Sequence, residues 1–276
     1  MNILESIVFG FISGLSDVLP VSSQAHKAIV LKIIGEHTEN PVLRLFIHIA
    51  VLAAFYYSCA NHIMRIMRQL RLSRIPKRRR KRPLDIQTLM EFRLVRTMII
   101  PVVLSLLLYS RTSVWGMKLQ LTALFLLLNG VILYLPNLLP TGNKDARSMS
   151  GLEGLLMGLG AAVSVLPGVS AVGGALSVAS VCGAERRFAF NITCLLQMVL
   201  TVCLIGFDLV AVFAAGVGGM TLMMIIVYVL AAAAAFAGTY LGIRFMRILA
   251  VNIGFSVFAY YSFGAALLSF MLYLMV

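Results

Sequence analysis

LESIVFGFISGLSDVLPVSSQAHKAI, residues 4–29, and LEGLLMGLGAAVSVLPGVSAVGGAL, residues 152–176, are two versions of one pattern, and reading them together decides the fold. Leu4, Glu5, Gly10 and Ser16 match Leu152, Glu153, Gly158 and Ser164. After a one-residue slip, Leu19, Pro20 and Ser23 match Leu166, Pro167 and Ser170. Each copy interrupts an apolar segment with proline, serine and glycine. Paired, broken apolar segments in corresponding places of a chain point to a binding site between two inverted halves of a membrane protein.

The composition agrees. Of the 276 residues, 61% are apolar and 12% charged, and the mean hydropathy is +0.97, outside the range of soluble globular domains. The expected class is an all-α polytopic membrane protein. Six stretches, approximately 43–62, 96–113, 117–138, 188–214, 219–242 and 250–275, are long enough to cross about 30 Å of hydrocarbon. The two repeat segments are then re-entrant hairpins. One membrane domain covers 1–276, with halves about 1–138 and 150–276. The first apolar stretch has no basic n-region and no small-residue cleavage site, so it is expected to stay in the protein. Cys59, Cys182, Cys194 and Cys203 lack CxxC spacing and read as buried free thiols.

The net charge of +13 is concentrated between about residues 63 and 95, where Arg65, Arg68, Arg71, Arg74 and the run Lys77–Arg82 supply ten of the 23 basic residues. KRRRKR admits a nucleic-acid reading. Between two membrane spans, however, the positive-inside rule accounts for it, and no nucleic-acid partner is expected. With that loop cytoplasmic and both repeats folding back to the side they came from, the inside loops also collect Arg93, Arg96, Lys144, Arg147, Arg186, Arg187, Arg244 and Arg247. Only Lys27, Lys32, Arg44, Arg111 and Lys118 fall outside. The first repeat then enters from the outer face and the second from the cytoplasmic face. Irregular backbone at that depth is tolerated only where protein or a water-filled cavity surrounds it.

The first break holds Asp17, Ser22, Ser23, Gln24 and His26 within ten residues. Ionisable groups at membrane depth mark function by default, and His26 with Asp17 is a natural acid/base pair. Capping of the returning helix would explain Ser22 or Ser23, but neither Asp17 nor His26. His48 and His62 read as helix-contact or interface groups, Arg186 and Arg187 as anchors of the next span, and Lys27 either as a phosphate-binding cation or as a snorkelling surface lysine. Gly158, Gly160, Gly173 and Gly174 allow close helix approach, and Tyr240, Tyr260 and Tyr261 read as packing or tail-groove residues.

The run Gly14-Leu15-Ser16-Asp17-Val18-Leu19-Pro20-Val21-Ser22-Ser23-Gln24-Ala25-His26 resembles the signature E-G-L-T-E-F-L-P-V-S-S-T-G-H of the undecaprenyl-pyrophosphate phosphatases, the bacitracin-resistance family. Pro167-Gly168-Val169-Ser170 resembles that family's second signature, P-G-x-S-R-S-G-A-T. The resemblance implies an enzyme of the bacterial plasma membrane that removes the terminal phosphate of undecaprenyl pyrophosphate, recycling the carrier lipid of cell-wall synthesis. Its first re-entrant motif would be accessible from the outer face. It further implies Ser23, His26 and Asp17 as catalytic groups and Ser22, Gln24, Gly168 and Ser170 as substrate contacts, to which Lys27, beside His26 in the chain, is added as a candidate phosphate-binding cation. The expected partners are polyprenyl pyrophosphate or phosphate and the bilayer, and a homodimer is compatible with the family. Mg²⁺ or Ca²⁺ is the compatible cofactor, although Asp17 alone is a thin ligand set even with phosphate oxygens added.

Several positions depart from the signatures. Ser13 stands for the first Glu and Ala171 for the Arg, with Val172, Ala175, Gln24, Ala25 and Ala161 also changed. An arginine neutralising a transferred phosphoryl group can be worth ~10³ to 10⁵ in rate. A relative that binds or translocates a lipid phosphate without hydrolysing it is therefore the alternative expectation.

Overall fold

The computed structural model describes residues 1–36, 39–80, 82–112, 115, 118–216, 221–252 and 255–275, except for the side chains of 110, 250–252 and 256. The described chain is helical. α1 (Ile3–Ser16) and α2 (Ser23–Ile33) flank the first break. α3 (Pro41–Ser73), α4 (Ile86–Leu106), the single turn α5 (Tyr109–Thr112) and α6 (Leu119–Tyr134) complete the first group. α7 (Gly151–Ala162) and α8 (Ala171–Val181) flank the second break, followed by α9 (Arg186–Ala215), α10 (Leu222–Asn252) and α11 (Ser256–Leu274).

Five helices among the described residues are long and apolar enough to span: Pro41–Ser73, Leu119–Leu138, Arg186–Ala215, Leu222–Leu249 and Val257–Leu274. The expected span at 96–113 is instead α4, which begins ten residues earlier and carries Glu91, Arg93 and Arg96 in its first half. It extends back because Asp85 caps it, accepting from the Thr88 N–H at 3.2 Å. Glu91 is met by His62 at 2.8 Å and Arg65 at 3.3 Å, both from α3. Hydropathy alone undervalues a helix whose charges are paired within the bundle.

α1, α2, α7 and α8 contain 14, 11, 12 and 11 residues. At about 1.5 Å per residue, none reaches across about 30 Å of hydrocarbon. Their ends correspond closely. Asn2 and Ser150 each form a capping box, with Glu5 and Glu153 respectively, satisfying first-turn N–H groups that lipid could not. Ser22 and Ser170 are the N-caps of α2 and α8, and both helices end at glycines with positive φ, Gly35 and Gly183. All of these pairs are 148 positions apart. The one-residue slip read from the sequence is thus confined to the Leu-Pro turns. In three dimensions Ser22 corresponds to Ser170, and Ser23 to Ala171.

The halves interlock rather than sit side by side: α1 runs along α10, α7 along α4, α6 along α11, and α3 along α9 and α10. Close approach in the first two pairs requires glycine. A Cβ at Gly10 would collide with the Ala231 carbonyl, and one at Gly158 with the Met98 carbonyl. One continuous core results, with Phe9, Ile47, Phe55, Met98, Met157, Leu176 and Phe190 among its fully buried side chains.

Candidate active site

The two breaks meet, and a single amide joins them. Asn129 of α6, fully buried, accepts from the Ser170 N–H at 2.9 Å. Its Nδ2 donates to the Pro20 carbonyl at 3.3 Å and to Ser262 Oγ of α11 at 2.9 Å. Ser22 Oγ, besides capping α2 through the Ala25 N–H, accepts from the Gly168 N–H at 3.1 Å. Ser170 Oγ donates to the Leu19 carbonyl at 3.4 Å and accepts from the Gly173 N–H at 3.1 Å. The Gly168 N–H and the Leu19 carbonyl are thus satisfied by the opposite break, and the Pro20 carbonyl and Ser170 N–H by Asn129, as burial demands.

These junctions aim the N-terminal ends of α2 and α8 at one cavity of about 460 Å³. Its wall includes Asp17, Ser22, Ser23, Gln24 and Lys27 from the first break and Ser164, Val169, Ser170 and Ala171 from the second. Arg44 and His48 of α3, Tyr109, and Gln197 of α9 complete its inner side, with Lys32, Glu36 and Glu39 also on the wall. Three of the five basic residues assigned to the outer side, Lys27, Lys32 and Arg44, thus line it. Helix N-termini carry unpaired N–H groups and the positive end of the helix dipole, so the cavity favours anions.

Lys27 is not a snorkelling lysine. It is only 8% exposed, and its Nζ lies 3.4 Å from His48 Nε2. His48 Nδ1 in turn bonds one carboxylate oxygen of the buried Asp208 on α9, and Arg44 Nε bonds the other. Ser23 Oγ and Glu39 Oε1 are shielded from solvent and have no hydrogen-bond partner among the described residues. An unmade bond of that kind costs about 1–3 kcal/mol, and in a cavity wall it marks a place where a ligand atom belongs.

His26 is placed differently. Its ring stacks on Tyr261 of α11, with centroids 5.6 Å apart and planes within 6°. Nδ1 lies 2.6 Å from the Ser22 carbonyl and Nε2 2.7 Å from the Tyr261 hydroxyl. It is absent from the cavity wall, as the turn of about 100° per residue separating it from Lys27 requires. Gly168 contributes its N–H and its backbone, with φ +129° and Phe125 packed against the place a Cβ would take. The structure therefore gathers Asp17, Ser22, Ser23, Gln24, Lys27 and Ser170 around one space, sets Gly168 behind it and turns His26 toward α11.

A model of the bacitracin resistance protein BacA family matches residues 6–268. The chain belongs to this family. It is 27% identical over 276 residues to an undecaprenyl-diphosphatase of Methanobrevibacter smithii, covering 98% of each chain. It is also similar to undecaprenyl-diphosphatases of Treponema denticola, 28% over 200 residues and 72% of each chain, and Micrococcus luteus, 30% over 199 residues and 69% of each.

Within this bacitracin-resistance framework the departures acquire definite surroundings. Ser13, fully buried, donates its hydroxyl to the Phe9 carbonyl at 2.7 Å inside α1. Ala171 lies on the cavity wall, across which Lys27 and Arg44 bring positive charge from α2 and α3. The carboxylates on the wall are Asp17, Glu36 and Glu39, but among the described residues no three His, Cys, Asp or Glu side chains converge to hold a metal ion. The donor set does not fit a protein cage for Mg²⁺ or Ca²⁺, which take six or more oxygens.

Asp208, Arg44 and Asn129 were not singled out as site residues from the sequence. Asp208 carried a usable signal, being the sole acid in the thirty residues of α9. Asn129 is an amide in the middle of an apolar helix that also carries Gln120 near its start, and gave a weaker one.

Proposed function

We propose that this protein is an undecaprenyl-diphosphatase, hydrolysing the terminal phosphoanhydride bond of a polyprenyl diphosphate to give the monophosphate and inorganic phosphate. The observation that carries the reading is the cavity where two helix N-termini, Lys27 and Arg44 converge beside the unpartnered hydroxyl of Ser23. Membership of a family whose relatives carry that activity in their names supports it.

Phosphoryl transfer passes through a loose transition state with charge spread over the equatorial oxygens, so positioning and cations do most of the work. Lys27 and Arg44 neutralise the terminal phosphoryl group, and the N–H groups at the starts of α2 and α8 hold its oxygens. Ser23 Oγ either guides the attacking water by a hydrogen bond or attacks the phosphorus itself, in which case the phosphoserine formed is hydrolysed by a second water to inorganic phosphate and the free hydroxyl. Asp17, on the same wall, accepts the proton released. The anhydride bond breaks and the prenyl monophosphate leaves with the bridging oxygen. No step is routed through a metal ion.

The end of the bundle bearing Arg65, Arg68, Arg71, Arg74, Arg186, Arg187, Arg244 and Arg247 is the cytoplasmic end by the positive-inside rule. The cavity then opens to the outer face, and the prenyl chain lies in the bilayer beside the bundle.

Detergent-solubilised protein is expected to release inorganic phosphate from undecaprenyl and farnesyl diphosphate. No release above buffer, across pH 5–9 and with Mg²⁺, Ca²⁺ or chelator present, would reject the proposal.

A further inference from the structure

Most ion pairs outside the two breaks are explained by packing. His62, Arg65 and Glu91 tie α3 to α4 near the basic end, and Lys144 and Glu153 pair at the start of α7. The group around Asp208 differs because each of its partners faces the cavity. Asp208 is itself missing from the cavity wall, yet Arg44, His48 and Lys27 all line it.

Hydrogen-bond inventory fixes the direction of the chain. A lysine ammonium only donates, so Lys27 Nζ donates to His48 Nε2. That places the imidazole proton on Nδ1, from which it is donated to Asp208. The second carboxylate oxygen accepts from Arg44 Nε. Asp208 is 1% exposed, and both its oxygens are occupied. The side chains of His48 and Asp208 are 4% and 2% exposed, against 24% for Arg44. The guanidinium is thus anchored at its inner nitrogen while part of it stays open to the cavity. One buried anion thus organises two cations, which face the cavity together with the carboxylates of Asp17, Glu36 and Glu39 on its wall.

We propose that Asp208 is a positioning residue for phosphate. It holds Arg44 directly, and through His48 it holds the Lys27 ammonium against the cavity, so that two cations from α2 and α3 are preset by a residue of α9. This rests on the phosphatase reading and adds a residue outside both re-entrant motifs. The arrangement places the cations before substrate arrives, which is where oriented charge contributes most to a transition state. It also offers a cation pair in place of the arginine that the second signature lacks at Ala171.

Two measurements on the full-length protein in detergent test this: phosphate release from farnesyl diphosphate, and the Kd of a non-hydrolysable farnesyl methylene-bisphosphonate. Asp208→Asn preserves shape and removes the charge. It is expected to lower kcat about a hundredfold and to raise the Kd about tenfold, with partial recovery in Asp208→Glu. His48→Gln, whose amide can donate to Asp208 and accept from Lys27, is expected to retain kcat and Kd within about threefold of the parent. His48→Leu, which cuts the link without unpairing Arg44 and Asp208, is expected to show most of the Asp208→Asn loss.

Values within threefold of the parent for both Asp208→Asn and His48→Leu overturn the inference while leaving the phosphatase reading intact. Equal losses in His48→Gln and His48→Leu also overturn it, since a relay that needs a titrating imidazole is not a positioning chain. If the parent itself releases no phosphate, the phosphatase reading fails and the Kd decides: weakened by Asp208→Asn and retained by His48→Gln supports positioning, and any other pattern rejects it. If Asp208→Asn does not fold, the His48 pair carries the same decision.

Discussion

The first and second re-entrant segments share their helix ends, their N-caps and their spacing, but they differ in what they present to the cavity. The first contributes Asp17, Ser23, Gln24 and Lys27, whereas the second contributes Ser164, Ser170 and apolar residues such as Val169, Ala171 and Val172. Equivalent backbone geometry with unequal side chains separates two tasks that a symmetric pair would mix. Both copies build the space and aim helix N-termini into it, and the first copy supplies the ionisable groups. The positive charge missing from the second copy comes instead from Lys27 and Arg44 on the first half of the chain.

The largest effect that would sharpen this contrast is at Ser23 and its structural counterpart Ala171. Ser23→Ala is expected to reduce phosphate release from farnesyl diphosphate by about 10³-fold, while Ala171→Ser leaves it within about twofold. Comparable losses at the two positions would show that the copies share the chemistry. Next comes Gly168→Ala, which places a Cβ at φ +129° against Phe125. It should cost about 2–4 kcal/mol and lower the melting temperature measurably. An unchanged melting curve would mean that the second turn is not held as described.

Smaller and equal changes are expected from Ser22→Ala and Ser170→Ala. Each removes one N-cap and one contact across the breaks, costing about 1–2 kcal/mol. A large inequality in their melting temperatures would break the structural equivalence of the two caps. The smallest effect belongs to Glu5→Gln and Glu153→Gln, which weaken matching capping boxes. Both should shift the midpoint by about 2 °C or less and leave phosphate release unchanged.

Local pattern made much of this legible in the sequence. The repeat, its breaks, five long spans and the crowding of Asp17 through Lys27 all follow from residues near one another in the chain, where periodicity, proline and polarity speak directly. Three readings differ from the structure for related reasons. The span at 96–113 was displaced because pairing of Glu91 with His62 and Arg65 is a tertiary fact, invisible to a hydropathy window. The one-residue slip aligned Ser23 with Ser170 because identities in the Leu-Pro turns outweighed the caps, which only the helix starts reveal. His26 was read beside Asp17 from proximity in sequence, but helical phase turns it to Tyr261. Asp208 and Asn129 come to the site from distant helices, and no local signature connects either to the breaks.

The amide of Asn129 has one further consequence. It offers a carbonyl to one half of the molecule and an NH2 to the other, a combination neither a carboxylate nor an ammonium can reproduce. Together with the bonds from Gly168 to Ser22 and from Ser170 to Leu19, it latches the two tips through buried polar groups. Rocking one half against the other would have to break all of these contacts at once. These contacts favour a fixed basin over a two-sided gate, and on the phosphatase reading phosphate enters and departs by one opening.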